Sequence, residues 1–85
     1  MRETRRVFAT GPGRERVDWW QVVTDLERRG ISHERVAAEC LRSKGWVDCV
    51  KNGQSEPRFH DGLIVLSLWA HATGRPLEER PRQEQ

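Results

Sequence analysis

Ser32, Ser43, Asn52 and Gly53 are the residues whose types and spacing say most about the chemistry open to this chain. A serine hydroxyl satisfies orphan amides at a helix start, and Asn or Gly takes the left-handed geometry that closes a helix end. Ser32 therefore caps a short helix over His33–Cys40. Ser43 caps a second over Lys44–Lys51, and Asn52-Gly53 ends it. A tight corner at Leu41 and Arg42 lies between them. The stretch from Ile31 to Arg58 reads as a helix-turn-helix with its closing loop. A second helix held steeply across the first can enter a DNA major groove with its N-terminal side chains leading.

The remaining reactive residues suggest no other chemistry. His33, His60, His71, Cys40 and Cys49 lack metal-ligand spacing such as paired C-x2-C. There is no Gly-rich phosphate loop after a strand and no nucleophile paired with a base. A domain this small rarely carries a substrate cleft. No catalytic activity, metal, cofactor or small-molecule substrate is expected. Cys40 and Cys49 fall at inward or half-buried helical positions, where a free thiol behaves as a small hydrophobe. Two such residues make no disulfide framework, and a reducing cytoplasm is the natural compartment.

The elements that must position these residues fit one small domain. Of 85 residues, 35% are hydrophobic, and they concentrate between Val17 and Ala72. Asp18 is placed to cap a helix over residues 19–29, with Trp19, Val22, Val23 and Leu26 along one apolar stripe. Gly30 stops it, and Ile31 can act as a staple onto the next helix. The second helix turns Val36, Ala37 and Cys40 inward, and the third turns Val47 and Val50 inward. Lys44, Gly45, Asp48 and Cys49 then lie on or near the other face. After a loop over residues 52–57, a fourth helix opens at Asp61-Gly62 or earlier, near Arg58, and ends at Gly74. It carries Leu63, Ile64, Leu66, Leu68 and Trp69, so it is apolar over more than one face. A small domain cannot bury all of that, and the surplus suits a dimer interface.

The expected fold is a compact all-α domain of four or five helices over residues 17–74. Residues 1–16 read as a flexible basic arm and residues 75–85, with Pro76 and Pro81 among mixed charges, as a disordered tail. The net charge of +2 says little, but Arg2, Arg5, Arg6, Arg14 and Arg16 are gathered in the arm. Such an arm can follow a phosphate backbone or lie in a minor groove, and it equally suits a solvated terminus. The apolar run beginning at Leu63 is too short to span a bilayer, and the first residues lack the apolar stretch of a signal peptide.

Over roughly residues 18–74 the chain resembles the lambda-repressor-like, Cro-type family of phage and bacterial regulators. The resemblance rests on Gly30-Ile31-Ser32, Val36-Ala37, Ser43-Lys44, Val47, and Lys51-Asn52-Gly53 with Ser55-Glu56-Pro57. It implies a sequence-specific double-stranded DNA-binding regulator that acts as a homodimer on a palindromic operator. By position it implies base contacts from Lys44, Gly45, Trp46, Asp48 and Cys49. Lys44 would donate to guanine, and Asp48 would accept from cytosine. It also implies phosphate contacts from His33, Ser43, Asn52 and Arg58. Four positions depart from the family pattern. Leu41 stands where the corner usually holds Gly, Arg42 where an aliphatic is usual, Val50 for an aromatic or Leu, and His33 for Gln. Trp46 suits either a thymine methyl in the groove or a protein interface. The alternative function is therefore a helix-turn-helix scaffold reused as a protein-binding module.

Overall fold

The computed structural model describes residues 16–83. Four helices occur among them: α1 (Trp19–Arg28), α2 (His33–Cys40), α3 (Lys44–Lys51) and α4 (Phe59–Thr73). A single 3-10 turn, Leu77–Glu79, follows α4. No strand is present among the described residues, only an isolated antiparallel bridge between Val17 and Arg82. The described residues are all-α, with four helices.

Each of the first three helices starts on the expected cap. Asp18 Oδ1 accepts from the Gln21 amide at 3.1 Å, Ser32 Oγ from Arg35 at 3.1 Å, and Ser43 Oγ from Trp46 at 3.2 Å. They also close alike. The Gly30 amide donates to Glu27 and Ile31 to Leu26; Leu41 donates to Ala38 and Arg42 to Ala37; Gly53 donates to Val50 and Gln54 to Cys49. This paired closure needs one left-handed residue. Gly30 (φ 84°) and Gly53 (φ 79°) supply it at no steric cost, whereas Leu41 (φ 57°) supplies it with a side chain 91% exposed. The corner therefore keeps the geometry of a Gly corner and carries the strain of a non-Gly residue.

The twelve buried apolar residues form one core: Trp19, Val22, Val23 and Leu26 from α1; Val36, Ala37 and Cys40 from α2; Val47 and Val50 from α3; and Val65, Leu66 and Trp69 from α4. The stripes read from residue spacing are thus the buried ones. Trp69 is fully enclosed, and its Nε1 donates to Asp25 Oδ2 at 3.0 Å. The Trp19 ring lies over Gly62, where an added methyl would sit 3.4 Å from Cη2.

The fourth helix begins at Phe59, the earlier of the two expected starts, and the Gly62 amide bonds back to Arg58 O at 2.7 Å. Two expectations need correction. The first helix ends at Arg28, one residue early. The segment from Arg75 to Gln83 is not a disordered tail. The Asp18 amide donates to Pro81 O at 3.0 Å, and Gln83 donates to Arg16 O at 2.7 Å. Leu77 lines one depression with Trp19, Phe59 and Leu66. The prolines end the helical run, but one apolar residue and two backbone bonds fasten the segment across the start of α1. Arg16 accordingly belongs to the domain, while Arg2, Arg5, Arg6 and Arg14 of the expected arm lie outside the described residues.

Leu41→Gly isolates the corner strain, because the side chain removed is almost wholly in solvent. It should stabilise the domain by about 1 kcal/mol, the cost of holding an L-residue left-handed. For a chain of this size that raises Tm by about 4 to 8 °C. An unchanged or lower Tm would show that the corner is unstrained.

Candidate functional site

The α2–corner–α3 unit carries most of the polar residues singled out by the sequence. Its inward side is apolar, with Val36, Ala37, Cys40, Val47 and Val50. Its outward side begins at the first turn of α3, where Ser43, Lys44 and Gly45 are exposed. Glycine without a side chain and lysine on a long stem leave that turn open to close approach by another molecule.

Trp46 is half-buried. It packs against the core edge, and the Arg42 guanidinium lies 5.4 Å from its ring centroid. Arg42 in turn donates to Asp61 Oδ2 at 2.7 Å, and Asp61 is buried in the first turn of α4. The Arg42 cation thus joins the corner to α4 and covers the indole. The partner that makes Asp61 tolerable in a buried position is this arginine. The Cys40 Sγ–Asp61 O distance is 3.9 Å. Burial pushes the Cys40 thiol up from its ordinary value, which keeps it protonated and unreactive.

His33 is not placed to meet a phosphate. Its Nδ1 lies 2.6 Å from Asp48 Oδ1, and its Nε2 faces Glu27 Oε2. Lys51 Nζ donates to the same Glu27 oxygen at 3.0 Å, and Lys44 Nζ reaches Asp48 Oδ2 at 3.4 Å. A continuous charge chain, Lys51–Glu27–His33–Asp48–Lys44, therefore ties α1, α2 and α3 together. Asp48 meets His33 and Lys44 before it meets any outside donor, and Cys49 is half-buried. Sequence reasoning missed this chain. Its signal was Asp48 four residues after Lys44; the distances from Glu27 and His33 along the chain gave none.

The other expected contact residues are spread out. Ser43 spends one lone pair on the Trp46 amide and retains its hydroxyl proton. Asn52 lines a polar cleft with Arg16, Trp20 and Lys51. This brings together Arg16 from the expected arm and one expected phosphate ligand. Arg58 is exposed beside a different depression, which is apolar and formed by Trp19, Pro57, Phe59, Leu63, Leu66 and Leu77. Across α4, a second apolar depression is lined by Leu63, Ile64 and Leu68 with Glu39, His60 and His71 at its edges. Of the apolar residues expected along α4, Leu66 and Trp69 are core.

Among the described residues no group of His, Cys, Asp and Glu is arranged to hold a metal ion, and no helix is long and apolar enough to cross a membrane. Both cysteines are free. No protein-family model matches the chain, and no curated protein or solved structure matches it.

The charge chain has an acid signature. Glu27 is held below its ordinary 4.5, first by the Lys51 ammonium and then by His33; Asp48 is held below its ordinary 3.8, first by His33. A carboxyl depressed in the folded state adds stability at pH values above its unfolded value and loses it as pH falls through the folded value. Urea midpoints should therefore fall on acidification below those ordinary values, and Glu27→Gln should flatten part of that limb. Identical acid limbs in parent and variant would show that Glu27 adds nothing to the fold.

Proposed function

We propose that this chain is a sequence-specific double-stranded DNA-binding regulator of the lambda-repressor-like, Cro-type kind, of phage or prophage character, with α3 as the major-groove helix. The observation that carries the reading is the α2–corner–α3 unit. Two Ser-capped helices are joined at Leu41–Ser43, with Val47 and Val50 anchoring α3 and its exposed first turn offering Lys44 and Gly45. Residues at that turn lead when such a helix enters a groove. Lys44 is the base reader, as a donor to guanine. Trp46 presents only its uncovered edge, and Asp48 reads a base only by exchanging its present partners. Arg16, Lys51 and Asn52, on one cleft, suit the phosphate backbone, and Ser43 and Arg58 add to that set. Such a role places the protein in the bacterial cytoplasm or nucleoid.

A second copy is the partner proposed for α4. Leu63 is exposed and Ile64 and Leu68 are half-buried, and the three line one depression around the small Ser67. Glu39, His60 and His71 line the same depression, so its polar groups are hydrogen-bonding partners available to a second copy. A two-fold pair also supplies the two α3 helices that a palindromic site requires.

One observation favours a second reading, a protein-binding module. Phe59 is 82% exposed beside an apolar depression that DNA recognition does not use. Salt separates the two readings. With about 6 to 10 phosphate contacts per dimer, affinity for a duplex falls by orders of magnitude between 50 and 200 mM salt, whereas an apolar protein interface is nearly indifferent.

Selection from a random duplex pool should yield a palindromic site. Lys44→Ala should weaken binding to it by about 1 to 3 kcal/mol while leaving Tm unchanged, because the side chain is exposed. Leu63→Asp should give a monomer in sedimentation and weaken binding further. No enriched sequence, or undiminished affinity in both variants, would sink the reading.

A further inference from the structure

We propose that His33 is the positioning residue of the outward face of α3, and that proton uptake on its ring strengthens DNA binding by that helix. The inference rests on the DNA-binding reading and adds to it a means of control.

The ring geometry carries the argument. Both nitrogens of His33 face carboxylate oxygens, Nδ1 that of Asp48 at 2.6 Å and Nε2 that of Glu27, and the side chain is only 18% exposed. A neutral imidazole has one N–H and one lone pair, and only the imidazolium donates from both nitrogens. The arrangement is therefore complete when the ring is charged. Loss of the proton turns a lone pair toward one of the two carboxylates.

The two carboxylates are not equally secured. Glu27 keeps the Lys51 ammonium at 3.0 Å, and that lysine side chain is only 20% exposed. Asp48 keeps only Lys44, at 3.4 Å, with a side chain half in solvent. Asp48 is thus the group that swings free. The other charged residues near the ring, Glu34 and Arg35 on its own helix, are exposed, and Arg35 pairs with Glu39 at 3.3 Å. No further charge from α1 or α3 bonds to the ring.

The consequence falls on the proposed DNA face. Lys51, Glu27, His33, Asp48 and Lys44 together carry +1 with the imidazolium and no net charge with the neutral ring. Deprotonation removes positive charge beside α3 and leaves on it a carboxylate held only by the exposed Lys44. Both changes oppose phosphate approach. Protonation holds Asp48 in one place and leaves less side-chain freedom to be lost on binding.

The test has a DNA-free arm and a DNA arm, both on the full chain. Without DNA, the carboxyl carbon-13 signal of Asp48 should shift in step with the ring nitrogen-15 signals of His33 as pH is varied. With a labelled random-sequence duplex of about 20 base pairs, spanning two half-sites, affinity should rise about tenfold as pH is lowered from about 8 to about 5.5. His33→Gln should flatten that rise. His60 and His71 remain in both proteins, so the difference belongs to His33. Asp48→Asn, which keeps the His33–Glu27 contact, should flatten it in part and serves if His33→Gln fails to fold. An Asp48 signal indifferent to the ring, or a His33→Gln profile equal to that of the parent, would overturn the proposal. Coupled titration in a protein that binds no duplex at any pH would support the His33–Asp48 clamp and overturn the DNA reading instead.

Discussion

The shortness of its helices is the constraint on which this domain depends. α1, α2 and α3 have 10, 8 and 8 residues. Helices of that length are marginal in water, because nucleation is costly and about four amides and four carbonyls are orphaned at each pair of ends. Their stability has to come from their ends and from one another. The repeated solution is an oxygen-bearing cap at the start and a paired closure at the finish. Three such units are strung together with almost no loop between them. The spacing of caps therefore fixes the spacing of helices, and the corner of α2 and α3 cannot be lengthened or re-angled without losing a closure.

Leu41 shows how strictly that holds. The α2 closure adopts the same hydrogen bonds as its two glycine counterparts although its residue resists them. Its side chain gains nothing in return, since it is almost wholly exposed. The strain persists because the core behind it over-determines the geometry: Ala37 and Cys40 before the corner and Val47 after it are all buried. Arg42 adds a second restraint by bonding to Asp61 at 2.7 Å. Six of the twelve core residues are valines, whose stiff side chains lose little freedom on burial and permit short helices to approach closely.

Local signals in the sequence were the legible ones. Caps, glycine stops and the apolar stripes of α1 to α3 depend on residues one to four apart, and the structure places them where the spacing put them. The start of α4 stayed open between two places because Asp61-Gly62 resembles a cap followed by a flexible residue; the helix takes the earlier start, and Gly62 lies inside it beneath the Trp19 ring. The fastening of residues 80–83 over Arg16 to Asp18 was hidden because backbone pairing across more than sixty residues leaves no compositional mark. The charge chain was hidden for the same reason: Glu27, His33 and Asp48 each look like ordinary surface residues until three helices converge. Arg42 for an aliphatic was visible as a departure, but its meaning needed Asp61, which lies on another element.

The outward face of α3 is consequently less free than a list of its polar residues suggests. Asp48 is engaged by His33 and Lys44, Trp46 is packed and covered by Arg42, and Lys51 serves Glu27. What remains uncommitted is the first turn, Ser43 to Gly45, with Lys44 held only by a long, exposed contact. A contact of that kind exchanges readily for a better acceptor, because an exposed ion pair adds little stability. The braced residues behind it contribute in another way. They hold the turn at a fixed position relative to the core, so that an acceptor meeting Lys44 meets it on a rigid element rather than on a loop. The same few ion pairs that tie α1, α2 and α3 together also set the outward face of α3, and His33 lies at their centre.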